Sequence, residues 1–229
     1  SDSEPQLREE PKLPQDTILG KGSIGVINYL KRIRKSGELT DEERRMVLYK
    51  IDNGAAKRDF VEPARACRMI GWGRIVERSD ILLQFALDQS KSPFTRRDAF
   101  VGLRLLEQFN EDVVETCIKG ATDPYFETVN EATYCLSSLI KRALFEQIDK
   151  PQQELLQTLL NKHNDIISST FGALAGSKEF DVRMNALAVL SLSCSSFDEV
   201  REYFEHNYFH PNWQVRRKIV DCFGNLLKR

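Results

Sequence analysis

Neither sign of charge is in surplus: 33 basic residues stand against 34 acidic ones, for a formal charge of -1. Without a global field, nothing recruits nucleic acid or an acidic membrane over the whole surface, and such binding would need a local basic patch. Cysteine is sparse and unpaired in pattern. Cys67, Cys117, Cys135, Cys194 and Cys222 are odd in number, and the closest two are 135-117=18 residues apart, so neither a disulfide framework nor a metal knuckle is indicated. The histidines are only three, His163, His206 and His210, and none pairs with a plausible cysteine or carboxylate ligand at helical spacing, so no metal and no cofactor is expected. No apolar run approaches the length of a membrane span. Sustained two-residue alternation with hairpin turns is also missing, which argues against strands.

What remains is a composition of 41% apolar and 29% charged residues over 229 positions, suited to helices with one apolar stripe and one wet face. Residues 1–16 (SDSEPQLREEPKLPQD) hold three prolines, many charges and two leucines, the composition of a tail or linker. The chain opens at Ser1 rather than Met, which implies preceding residues; the expected compartment is the reduced cytoplasm. Residues 17–229 are expected to form one helical domain. Apolar residues recur at helical spacing from Ser23, through Ile24, Ile27, Leu30 and Ile33 and then Met46, Val47 and Ile51. Thr40 with Glu43, and Ser196 with Glu199, have capping-box spacing. Ser92-Pro93 and Asp123-Pro124 place a capping side chain before a first-turn proline, and Pro151 and Pro211 are candidate helix starts of the same kind. Together these signals predict about eleven helices joined by short loops.

Self-comparison adds a period. Thr95, Thr128, Val182 and Val215 align, with Ala99, Ala132, Ala186 and Ile219 four residues on, Leu103, Leu136, Leu190 and Phe223 eight on, and Leu106, Leu139, Ser193 and Leu226 eleven on. These offsets trace one helical stripe, and the small second residue is what a close helix crossing requires. The intervals are 128-95=33, 182-128=54 and 215-182=33, so the middle one carries an insertion, spanning the apolar segments Gln152 to Leu160 and Ile166 to Leu174. Helices beyond it could keep or exchange their inner and outer places.

Asp181-Val182-Arg183 with Ala186, Gln214-Val215-Arg216 with Ile219, and Pro93, Pro124 and Pro211 ahead of their helices resemble the second helix of HEAT repeats over residues 58–229. Val129 departs from that pattern where arginine would be usual, as does the long insertion. The resemblance implies an all-α fold, a right-handed α–α superhelix whose second helices line a concave protein-binding surface.

Other motifs have plainer explanations. Gly20-Lys21-Gly22-Ser23-Ile24-Gly25 matches GxGxxG and is similar to a kinase glycine-rich loop. It lacks the catalytic-loop and metal-site motifs of a kinase and the strand of a dinucleotide fold, so it is taken as a joint before the first helix. The cysteines lie among apolar helix residues and are expected to be buried and inert. Arg96, Arg183 and Arg216 recur at one repeat place, either as a basic ladder or as structural hydrogen-bond donors to side chains such as Asp98 or Asp181. Trp72 and Trp213 can each be a packed aromatic at a helix end or a recognition residue, and the packed reading is the commoner one.

The expected function is a non-enzymatic scaffold or adaptor that holds another protein, in particular an acidic or amphipathic segment. Position 97 lies about 200° around the helix from the core position 95. The same phase gives Arg97 and Arg104, then Asn130, Tyr134 and Lys141, then Met184, then Arg217, Asp221 and Lys228 as the binding ribbon. The alternative is a nucleic-acid-binding or DNA-repair domain of the same architecture. It would draw on the basic residues Arg32, Arg34, Lys35, Arg44, Arg45, Arg65, Arg68, Arg74 and Arg78. A helical-repeat enzyme is a third class: paired His-Glu motifs for a hydroxylase are missing, and no feature excludes a lyase.

Overall fold

The computed structural model describes residues 22–146 and 149–228. Among them are twelve α-helices and no strand. In chain order they are α1 (Ser23–Ser36), α2 (Asp41–Ala56), α3 (Glu62–Trp72), α4 (Ser79–Leu87), α5 (Pro93–Leu106) and α6 (Glu111–Gly120). There follow α7 (Phe126–Phe145), α8 (Lys150–Lys162), α9 (Asn164–Leu174), α10 (Phe180–Ser193), α11 (Arg201–Glu205) and α12 (Trp213–Leu227). The tail 1–16 and Gly20-Lys21 lie outside the described residues. Gly22 precedes α1 with φ 39°, a backbone that favours glycine, and Gly25 lies inside that helix.

Local chemistry sets most helix starts. Thr40 Oγ1 accepts from Glu43 N (3.1 Å) while Thr40 N donates to Glu43 Oε1 (3.0 Å), a complete capping box for α2. Ser92 and Asp149 cap α5 and α8, each ahead of a first-turn proline. Three expected starts differ. Asp123 caps nothing: its carboxylate is taken by Arg96 and by Tyr125 N, and α7 begins beyond Pro124. Pro211 lies before α12, which Asn212 caps through Gln214 N. Ser196 precedes only a 3-10 turn, Phe197–Glu199, and Glu199 accepts from Ser195 N instead.

The helices pack in two rows. In one, α1, α3, α5, α7, α10 and α12 each lie against the next; in the other, α4 meets α6 and α6 meets α9. Pairing across the rows joins α2 to α3, α4 to α5, α6 to α7 and α9 to α10. Thr95, Thr128, Val182 and Val215 are each the third residue of α5, α7, α10 and α12, and all four are buried. Because α10 packs on α7 as α7 does on α5, the row continues through the insertion and its parity is kept; α8 is the additional helix, lying against α7.

Small residues set the closeness of the crossings. Ala99, Ala132 and Ala186 are fully buried. Where α3 meets α5, a Cβ on Gly102 would stand 2.7 Å from Cys67 O and 2.8 Å from Leu82 Cδ2. The two backbones can approach that closely only because neither side chain intervenes.

Polar groups fasten successive pairs. Arg96 and Asp123 form a two-point ion pair (2.8 and 3.1 Å) with side chains 5% and 2% exposed, and Arg96 also donates to Lys91 O. Arg183 reaches back to Ser177 O (2.9 Å) and across to Asn207 Oδ1 (2.8 Å), and Arg216 to His210 O and Pro211 O. The recurrent arginines are thus loop clamps, but Asp98 and Asp181 are not their acceptors: Asp98 pairs with Arg97 instead. Glu107, at φ 58° after α5, faces Arg34, Arg74 and Arg142, joining the ends of three row helices.

Candidate functional site

On the side of the α5–α7–α10–α12 row away from the buried stripe, α7, α10 and α12 enclose a shallow depression of about 520 Å³. Its walls carry Tyr134 and Lys141 from α7, Asn185 from α10, Lys218 and Asp221 from α12, and Lys228 just past the end of α12. The hollow exists because its lining includes small residues, Ser137, Ser138, Ala188 and Gly224; a Cβ on Gly224 would meet nothing within 4 Å. Three lysines against one aspartate make the depression cationic. Lys228 Nζ lies 5.8 Å from the Phe145 ring centre, within cation–π range.

Four of the nine residues expected to form the ribbon therefore share one hollow: Tyr134, Lys141, Asp221 and Lys228. The others continue it. Asn130, one turn before Tyr134, accepts from Asn185 Nδ2 at 2.8 Å and so bridges α7 to α10. Met184 precedes Ala188, and Arg217 precedes Asp221, by one helical turn on the same side. Arg104 stacks on Tyr134 at 4.7 Å. Arg97 is held by Asp98 (3.1 Å) and Glu127 (3.3 Å) and lies over Phe94, so its charge is already matched.

Beside this ribbon one carboxyl group, Asp98, is buried and another, Glu131, is half-buried. Burial raises the pKa of Asp98 and of Glu131, against the opposing pull of Arg97 on the first and of Arg104 and Arg97 on the second. Neither Glu131 Oε2 nor Arg104 Nε, both shielded, has a hydrogen-bond partner.

Lys218 and Asn185 were missing from the expected ribbon because each is one position off its phase; a wide groove between helices takes side chains from both flanks. Exposed aromatics were also missed. Phe94, Phe126, Phe180 and Trp213 stand in the first turns of α5, α7, α10 and α12, and Tyr125 meets Phe94 edge-on at 6.4 Å. Trp213 is thus an exposed residue, while Trp72 is packed, with Lys31 and Arg34 over its ring. The sequence signal was available: an aromatic recurs two places before the aligned Thr128, Val182 and Val215.

Five of the nine basic residues named in the first third are ion-paired, two of them to one shared carboxylate. Arg44 pairs with Glu77, Arg78 with Asp52, Arg65 with Glu62, and Arg34 and Arg74 with Glu107. All five cysteines are buried. Burial pushes the Cys67 thiol up and that of Cys222 to about 11, and a hydrogen bond with Cys135, then burial, raises Cys117. Such thiols have little nucleophilic character at neutral pH.

His206 and His210 serve local backbone, through Glu202 O and Asn212 N. His163 differs from expectation: folding brings its ring against Glu111 and Glu115 of α6. Among the described residues no helix is long and apolar enough to cross a membrane. No protein-family model matches this chain and no curated protein matches it, so the likeness to HEAT repeats rests on its own residues.

Proposed function

We propose that this chain is a protein-binding scaffold, a HEAT-like solenoid that holds an acidic or amphipathic segment of a partner on the α5–α7–α10–α12 face. The observation that carries the proposal is the cationic depression in which Tyr134, Lys141, Lys218 and Lys228 converge from two helices of one row. A continuous row whose aligned third residues are all buried supports a solenoid. In such a stack the opposite side of the row is the concave one. A shallow, polar hollow with an aromatic wall suits a peptide better than a small metabolite, which takes a deeper apolar pocket. The ion pairs that engage five of the nine basic residues of the first third weigh against the nucleic-acid alternative, since phosphate binding needs uncompensated cations. The scaffold carries out no reaction of its own and uses no cofactor.

The test exploits Gly224. Gly224→Gln should fill the depression without disturbing the core, and Lys141→Glu with Lys228→Glu should reverse its charge. Proteins captured by the wild-type chain, and retained by a control reversed at Lys57 beyond the end of α2, should be lost by both kinds of variant. Full retention by a folded Gly224→Gln, Lys141→Glu, Lys228→Glu chain would remove this face as the binding site.

A further inference from the structure

We propose that Glu111, Glu115 and His163 bind one divalent first-row cation, with zinc as the best match. Their ligand atoms all lie within 4.8 Å of one another. Glu111 and Glu115 are one turn apart on α6, so both carboxylates leave the same side of the helix. His163 is the single residue between α8 and α9, and the ends of two helices fix its backbone.

The imidazole carries the argument. Its side chain is 13% exposed, and Nε2 is shielded from solvent without a hydrogen-bond partner. That nitrogen is 3.5 Å from Glu111 Oε1 and 4.0 Å from Glu115 Oε1. Both separations are long for a hydrogen bond. The first suits two ligands of one cation as it stands, because bonds of about 2.0–2.2 Å at a tetrahedral angle hold their donor atoms roughly 3.4 Å apart, and the second is reached when Glu115 closes by about 4.0-3.4=0.6 Å. One imidazole and two carboxylates also balance the charge of a divalent ion and leave a fourth position open, as oxygen-rich zinc sites do.

Lys162 is the built-in competitor. Its ammonium pairs with Glu111 in the absence of an ion. Lys162 is 58% exposed and can turn into water when an ion enters. The ion would then tie α6 to the α8–α9 junction, fastening the inserted helix to the row it interrupts. Glu115 and His163 themselves line, with Ile118, Ile166 and Thr170, a hollow of about 410 Å³.

The rival is a metal-free cluster in which an imidazolium is attracted to the two carboxylates. Calorimetric titration of the full chain with zinc chloride, after treatment with a chelator, distinguishes them. The wild type should take up one equivalent. Glu115→Gln and His163→Gln should each weaken uptake by at least about tenfold, a loss expected of ligands. Lys162→Gln should bind the ion more tightly, because it removes a competing cation. Cobalt substitution should give a visible ligand-field band in the wild type and none in His163→Gln. Far-ultraviolet circular dichroism in chelator checks that each variant is folded. Absence of saturable uptake by the wild type would overturn the proposal in favour of the ion-paired cluster. So would wild-type affinity in Glu115→Gln and His163→Gln, or weaker binding by Lys162→Gln.

Discussion

The Arg96 guanidinium grips the Asp123 carboxylate at two points, 2.8 and 3.1 Å, with both side chains almost wholly out of solvent. The contact spans 27 residues and binds the start of α5 to the loop before α7. A buried pair contributes little relative to a matched apolar pair, but removing one partner strands the other charge. Arg96→Met should therefore lower unfolding free energy by about 3–5 kcal/mol. The neutral counterpart, Arg183 to Asn207, should cost about 1.5–3 kcal/mol when Arg183 becomes Met. Urea midpoints for the two variants check the order. Equal, small losses would mean that the clamps are not what aligns neighbouring pairs.

Acid should act on the fold in two stages. Burial pushes Asp123 up, but Arg96 and the Tyr125 N–H outweigh it and hold its pKa below the ordinary value of 3.8. Its contribution is present above the unfolded value and is lost as pH falls through the lowered one, below about pH 4. Asp98 and Glu131 have the opposite sign. Burial raises their folded pKa, so protonation in the native state adds stability as pH falls through those raised values. The expected profile is a modest gain on mild acidification followed by collapse below about pH 4. Glu131→Gln should flatten the gain and leave the collapse in place, measured by urea midpoints across pH.

Glycines in α5 and α12 should respond oppositely to the same change. Gly102→Ala would press a Cβ toward Cys67 O at 2.7 Å, a backbone atom that cannot turn aside, and should cost about 1–3 kcal/mol. Gly224→Ala meets open space and should stabilise by about 0.5–1 kcal/mol through helix propensity. Ala132→Leu, fully buried at the α7 crossing, should behave like Gly102→Ala. Thermal melts of the three variants give the signs directly.

The stripe through Thr95, Thr128, Val182 and Val215 was legible because burial in a helix row repeats every three to four residues along the chain itself. So were the Thr40 and Ser92 caps, which are contacts within one turn. Asp123 was misread as a cap because its strongest partner, Arg96, lies in another helix and no local spacing reports it. The Glu111–Glu115–His163 cluster was invisible for the same reason. His163-Glu115 spans 163-115=48 residues and depends on α9 reaching α6 across the insertion. About eleven helices were expected, and the described residues form twelve; the proline turns at Pro124 and Pro211 lie outside the helices they were expected to open.

The binding face itself is best tested by placing a photo-crosslinking amino acid at position 134, on the wall of the cationic depression, and at position 158, an exposed site on α8 away from it. Irradiation in cells should give discrete protein adducts from position 134 that are lost when Gly224→Gln fills the hollow, and none of the same adducts from position 158. Adducts that form equally at both positions, or that survive Gly224→Gln unchanged, would contradict a partner seated across α7, α10 and α12.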